Sequence, residues 1–287
     1  MKFDKKKVNG YSLLELLLFP KRGIHQKKLQ NHLRGKTILI TGASFGIGEQ
    51  LAYMTSFKET DLILIGRTKE KLEFVKEKIQ KAGGVAEAIS MDLRNEKQLN
   101  DLIAYLINRE RKVDIFVSNA GKSIKRSILK SLDRYHDFQR TMSVNYHAPV
   151  KICLSLIPSL AHRKGHIINV SAMNVLLMPV PKWSAYQASK TAFDQWFRSV
   201  SPELFSQGIS TSTVYLPLVR TRMIEPNESY RLMPAMDPNH VARIICRLLL
   251  SKKSKYKPWW TIFAEVGSFI FQKPIMFVLR LKYKNSV

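Results

Sequence analysis

The chain has 287 residues, and 45% of them are hydrophobic, which supports a packed core and excludes a chain disordered throughout. Lys and Arg number 47 against 22 Asp and Glu, a formal charge of +25, and 17 of those charges fall in residues 1–36 and 243–287. Basic ends on a mildly charged middle argue against a nucleic-acid groove built into the fold, and no base-reading motif accompanies them, so nucleic acid is not an expected partner.

Residues 1–34 read as a basic N-terminal extension. Within it "YSLLELLLF" (11–19) is apolar, but it is nine residues long and interrupted by Glu15. A bilayer span needs about 20 apolar residues. Lys5, Lys6 and Lys7 precede the run, yet no small-x-small cleavage site follows, so export is not expected.

From Lys36 short apolar runs alternate with amphipathic helical patterns. "TILIT" reads as a strand ended by "GASFGIG", and "EQLAYMTSF" as a helix. "DLILIG", "VAEAISMDL" and "VDIFVSNAG" read as further strands, with helices "KEKLEFVKEKIQKAGG" and "EKQLNDLIAYLINRE" between them. Two helices are expected over 133–145 and 149–163. "GHIINVS", the helix "AYQASKTAFDQWFRSVSPELF" and "ISTSTVYLP" complete the series. Near-continuous apolar strands separated by helices imply a parallel sheet covered on both faces. The expected fold is α/β: one doubly wound parallel-sheet (Rossmann) domain over 35–250, with basic, apolar-patched extensions at 1–34 and 251–287. The tail carries "WWTIFAEVGSFIF" (259–271), again too short to span a bilayer. Cys153 and Cys246 lie in no metal or redox motif and read as buried thiols in a reducing compartment. No metal site is expected.

Gly42, Gly46 and Gly48 fall in the turn between the first strand and the first helix. Glycines there let the backbone approach a pyrophosphate, and the helix start supplies free N–H groups. The second strand ends in "IGRT", which puts Arg67 where an NAD site would carry a carboxylate. A guanidinium suits a 2′-phosphate, so NADPH is the expected cofactor; a solvated loop residue is the plainer reading of Arg67. Asp92 meets the adenine edge or caps the following helix.

Ser171 ends the fifth strand at the carboxyl edge of the sheet. Tyr186 and Lys190 enter the next helix one turn apart on one face. A phenol of ordinary pKa about 10 is a poor acid–base group at neutral pH, and a nearby ammonium is expected to lower it. Ser171 can then donate a hydrogen bond to a substrate oxygen while Tyr186 passes it a proton.

These motifs, in the order "TGASFGIG", "NAG" (119–121), Asn145 in "SVNY", Ser171 in "NVS" and "YQASK", resemble the short-chain dehydrogenase/reductase family over about 36–250. The resemblance implies a catalytic tetrad of Asn145, Ser171, Tyr186 and Lys190, with Asn145 holding a proton-relay water and Lys190 also binding the nicotinamide ribose. It implies cofactor contacts from Gly42, Ser44, Phe45, Gly46, Ile47, Gly48, Arg67, Asp92, Asn119, Ala120, Gly121, Tyr186, Lys190, Pro217, Val219 and Thr221. Leu218 departs from the family's usual glycine. The stretches from Ser118 to Pro238 are similar to bacterial fatty acyl-coenzyme A reductases of that family, which implies a long-chain acyl thioester as substrate and an aldehyde as product. A keto-lipid or other ketone or aldehyde is the alternative, and a non-catalytic binding protein on the same fold a third. Lys122, Lys125, Arg126, Arg220 and Arg222 are either phosphate contacts for coenzyme A or solvated surface charges. The apolar and basic ends suit peripheral contact with an anionic membrane, or packing on the domain or on a second copy. A cytoplasmic enzyme, at the inner membrane face and pairing with itself through its long helices, is the expectation.

Overall fold

A computed structural model describes residues 11–224, 228–230 and 232–284; Lys2, Lys5, Lys6 and Lys7 lie outside them. Seven strands form one sheet: β1 (Thr37–Thr41), β2 (Asp61–Gly66), β3 (Val85–Ser90), β4 (Ile115–Ser118), β5 (His166–Ala172), β6 (Ser210–Leu216) and β7 (Lys255–Tyr256). Their spatial order is 3-2-1-4-5-6-7 and every pairing is parallel. The order reverses at β1 and β4, so a crevice opens beyond their carboxyl ends, where open α/β sheets bind ligands.

Alternation along each strand assigns the two faces. Ile38 and Ile40 of β1 face a core shared with α2 (Gln26–Leu33), α3 (Gly46–Thr55), α4 (Lys69–Lys81) and α9 (Pro238–Ser251). Leu39 between them faces the opposite core, with α5 (Glu96–Asn108), α7 (Ala148–His162) and α8 (Ser184–Ser206). Cys153 and Cys246 are free and buried in opposite cores, and burial pushes both thiols well above their ordinary range.

One expectation changes. The helices expected over 133–145 and 149–163 are one run: α6 (Tyr135–Met142), a π turn (Ser143–His147) and α7. Pro149 explains the π turn, because it has no N–H to give the Asn145 carbonyl four residues back. The apolar run at 11–19 is not uniformly exposed. It forms α1 (Leu13–Leu18), closed by a reciprocal capping box between Ser12 and Glu15, with Tyr11 and Phe19 in the core. The buried Glu15 carboxylate accepts from the backbone N–H groups of Ser12 (2.8 Å) and Ala235 (3.1 Å) and from the Arg220 guanidinium. Burial acts to raise its pKa, and these donors outweigh it, holding the carboxyl below its ordinary value. The Tyr11 hydroxyl accepts from Asp237 N (2.6 Å) and lies 3.2 Å from His240 Nδ1. The N-terminal segment thus braces the chain that follows β6. Beyond β7, residues 261–284 form α10 (Thr261–Ile270) and α11 (Gln272–Lys284), bent by 75° at their junction.

Candidate active site

The β1–α3 turn brings the chain onto itself more closely than a side chain allows. A Cβ on Gly48 would lie 2.3 Å from the Gly42 carbonyl oxygen. Phe45, the N-cap of α3, makes no side-chain capping bond, so the helix start has N–H groups to offer an anion. Asn119 holds the turn from behind, donating its amide to the carbonyls of Thr41 (2.9 Å) and Gly42 (3.1 Å). The backbone N–H groups of Asn119 and Ala120 both donate to Thr41 Oγ1 at 3.1 Å. Thr221 crosses in front: a Cβ on Gly46 would meet its methyl at 2.9 Å. The Arg222 guanidinium lies over the Phe45 ring, 4.4 Å from its centre.

Pro217, Leu218 and Val219 carry the chain to Thr221. Leu218 takes no positive φ; its carbonyl accepts from Met236 N (2.8 Å), and Val219 bridges Met236. Backbone pairing shapes this segment without the glycine.

At the end of β2, a Cβ on Gly66 would lie 2.0 Å from Ser44 Oγ, so only glycine lets β2 and the turn meet there. The Ser44 hydroxyl is buried and has no partner among the described residues. Arg67 follows it, exposed. Asp92 does not cap α5, because Asn95 does, accepting from Gln98 N. The Asp92 carboxylate instead chelates the Arg94 guanidinium; that hydrogen bond, with charge from Arg94 and Arg67, holds its pKa below the ordinary value. An orphaned buried hydroxyl, an uncapped helix start and a backbone that excludes Cβ atoms fit a dinucleotide with its pyrophosphate on α3.

Ser171 lies opposite Tyr215 of β6, one residue before the β5 ladder ends at Ala172. Its hydroxyl is buried and without a partner among the described residues. Lys190 of α8 donates from Nζ to the carbonyl of Val170 (3.0 Å), pinning the face of α8 that carries Tyr186 against β5 beside Ser171. Burial pulls the Lys190 pKa down to about 8, opposed by Asp194 one turn further on. Burial pushes the Tyr186 phenol up to about 12, and Tyr230 adds to the shift. The expected lowering of the phenol by lysine is not seen here: burial dominates, and Tyr230 adds to it. A phenol in this state is a proton donor at neutral pH.

The π turn places Asn145 beside them. Its side chain accepts from Lys122 N (2.8 Å) and donates to Lys122 O (2.9 Å) and Ser189 Oγ (2.8 Å), and Ser189 donates in turn to Tyr186 O (2.8 Å). A Cβ on Gly121 would stand 3.6 Å from both Asn145 Oδ1 and Lys190 Nζ. The structure thus gathers Gly121, Asn145 and Lys190 at one point.

The basic candidates separate. Arg220 is bound to Glu15, and Arg126 is paired with the buried Asp137 at 3.2 Å. Both are held in the scaffold, which argues against a role on coenzyme A. Lys122 and Lys125 are exposed. Sequence reasoning missed the wall beside Tyr186: Trp183 meets its ring edge-on (5.8 Å) and stacks on Tyr230 (6.2 Å), with the Lys125 ammonium 5.4 Å from the Tyr230 ring. No spacing rule joins residues 125, 183 and 230. Ser189 lay inside "YQASK" and had a detectable signal, as a hydroxyl on the helix face toward Asn145.

Fold and site define a dinucleotide-dependent oxidoreductase. The short chain dehydrogenase pattern matches residues 36–231, and the chain belongs to the short-chain dehydrogenase/reductase family. It is 38% identical over 234 residues to a fatty acyl-CoA reductase of Acinetobacter baylyi, covering 80% of this chain and 79% of that one. A fatty acyl-CoA reductase of Mycobacterium tuberculosis is 38% identical over 205 residues, covering 71% and 70%. Among solved structures, a metagenomic short-chain oxidoreductase in complex with NADP is 26% identical, with a TM-score of 0.67 over 78% of this chain and 97% of that one.

Proposed function

We propose that the protein reduces long-chain fatty acyl thioesters to aldehydes with NADPH. The observation that supports the reading most is the Lys190 hydrogen bond to Val170, one turn from Tyr186 on α8 and next to the buried, unpartnered Ser171 hydroxyl near the carboxyl edge of β5. The two relatives named fatty acyl-CoA reductases support the substrate class. Ser44 and Arg67 at the end of β2 support NADPH: a hydroxyl and a guanidinium suit a 2′-phosphate, and no carboxylate follows Gly66 directly.

The chemistry a dinucleotide would supply, held by the β1–α3 turn, is a hydride for the carbonyl carbon. Ser171 and Tyr186 donate hydrogen bonds to the oxygen as negative charge develops there. Collapse of the tetrahedral adduct re-forms the carbonyl, breaks the C–S bond and releases the thiolate. On a ketone the same oxygen keeps a proton from Tyr186, whose pKa of about 12 keeps it loaded at neutral pH. Asn145, fixed by Lys122 and Ser189, orders the route by which that proton returns through Lys190. Pairing of two copies through α7 and α8 belongs to the same reading; Leu154 and Phe205 stand exposed on these helices.

The test is product accounting with palmitoyl-coenzyme A. Loss of one NADPH for each aldehyde and each free thiol supports the reading. NADPH loss on ketones with no thiol release from the thioester assigns the site to a lipid ketone or aldehyde.

A further inference from the structure

We infer that the two chain ends form a single lipid-facing surface seated on an anionic bilayer, and that this surface adjoins the catalytic pocket at residues 176–183. The delivery of substrate from that bilayer rests on the reading of the protein as a lipid-carbonyl reductase; the surface itself does not.

The ends meet. The Trp259 indole donates to the Leu17 carbonyl (3.1 Å), joining α1 to the start of α10. Leu13 and Leu17 share one face of α1, 83% and 66% exposed. Their apolar surface continues through Trp259 to Phe263, whose ring meets Trp259 edge-on at 6.1 Å. It then runs along the same face of α10 through Val266 (53% exposed) and Ile270 (60%), and exposed apolar side chains resume on α11 at Phe277 (62%). Trp260 and Thr261 anchor the base of the arm, the first against the core and the second fully buried. Single exposed apolar side chains are ordinary; a run of them over three helices, two of which are joined through Trp259, marks a contact surface.

Charge and shape select the occupant. Glu265 is the one acidic residue after Arg243, and Lys257 neutralises it at 2.5 Å. Lys273 at the bend and Arg280 and Lys284 on α11 are exposed beside the apolar strip. A second copy would bring the same positive field against itself, whereas an anionic lipid surface complements it. Among the described residues no single helix is long and apolar enough to cross a membrane; α10 and α11 are so only taken together, and they meet at 75°. Basic and aromatic residues on a short bent pair suit the interface plane.

The arm also holds the chain leading to Tyr186. Ser268 Oγ of α10 accepts from Met178 N (2.6 Å), and the Lys182 ammonium lies 6.0 Å from the Tyr283 ring of α11. Lys182 has φ 72°, a left-handed conformation rare for lysine, and its carbonyl accepts from Arg126 N (2.7 Å). Trp183 follows, against the Tyr186 ring. An acyl chain leaving the bilayer at the arm reaches this segment first.

Flotation of the full-length protein on vesicles tests the inference, comparing phosphatidylcholine alone with phosphatidylcholine carrying about 30 mol% phosphatidylglycerol. Binding to the anionic vesicles is expected to exceed that to neutral ones by tenfold or more. Phe263→Asp with Phe277→Asp should weaken it by at least about tenfold, and Lys273→Ala with Arg280→Ala by about fivefold per charge. Both variants should keep an unchanged melting temperature and undiminished reduction of a short, water-soluble carbonyl. Absent or charge-independent flotation overturns the inference. So does loss of self-association in the aspartate variant without vesicle binding by wild type, which would give the surface to a second copy. Flotation needs no turnover: a protein that floats but releases no thiol keeps this inference and loses the substrate, and one that turns over but never floats does the reverse.

Discussion

Replacing Lys190 with methionine should stabilise the protein while abolishing its activity, and the stabilisation should fade with rising pH. Lys190 is 7% exposed, and burial lowers its pKa from 10.5 to about 8. That difference corresponds to about 3 kcal/mol of penalty on the folded state while the amine is charged in both states. Methionine fills similar volume without the charge, but it also leaves the Val170 carbonyl without its Lys190 donor, so the expected gain at pH 7 is about 2 kcal/mol. A lowered lysine pKa gives this gain a definite sign with pH. Below pH 8 the folded wild type carries the full penalty; between about 8 and 10.5 it has shed the proton while the unfolded chain has not, so wild type recovers. The advantage of the variant should shrink by about 2 kcal/mol between pH 7 and pH 9.5. Urea unfolding of both proteins at the two pH values measures it, and titrations common to both cancel in the difference. A variant less stable at pH 7, or an advantage constant with pH, refutes the claim that the site holds a lysine against its own solvation.

Arg67→Asp should shift preference from NADPH toward NADH by at least about tenfold, the scale of one charge-assisted hydrogen bond, read from kcat/KM with each cofactor. Gly48→Ala puts a Cβ 2.3 Å from the Gly42 carbonyl and should weaken NADPH binding by at least about tenfold, measured by cofactor fluorescence. Glu15→Gln should cost about 1–2 kcal/mol at pH 7 by weakening the Arg220 and Ala235 contacts. Because the folded carboxyl lies below its ordinary 4.5, that difference is full above pH 4.5 and disappears as pH falls through the folded value.

What could be read from residue order was the chemistry carried by local spacing. Tyr186 and Lys190 one turn apart, Ser171 at a strand end and a glycine turn after the first strand are short-range patterns, and the backbone brings them together through the strand order of the sheet. The π turn was hidden because "SVNYH" is ordinary helical sequence; only the missing N–H of Pro149 hints at it, and the same residue reads as a helix start. The fate of residues 11–19 was hidden for another reason. Glu15 looks like an interruption of an apolar patch until Arg220 and Ala235, more than 200 residues away, arrive to satisfy it. The aromatic wall of Trp183 and Tyr230 likewise exists only in three dimensions. The state of the Tyr186 phenol is not legible from Lys190 four residues on, because spacing says nothing about how dry the site is.

The most direct test of the central claim compares wild type with Tyr186→Phe, supplying NADPH and palmitoyl-coenzyme A and following aldehyde and thiol while cofactor binding is monitored separately. The account predicts that the variant binds NADPH as wild type does and loses turnover by at least about a hundredfold, the scale of a lost hydrogen-bond donor to the developing oxyanion. Aldehyde and thiol release within a few-fold of wild type would contradict it, because the oxyanion would then form without the Tyr186 hydroxyl that the account assigns to it.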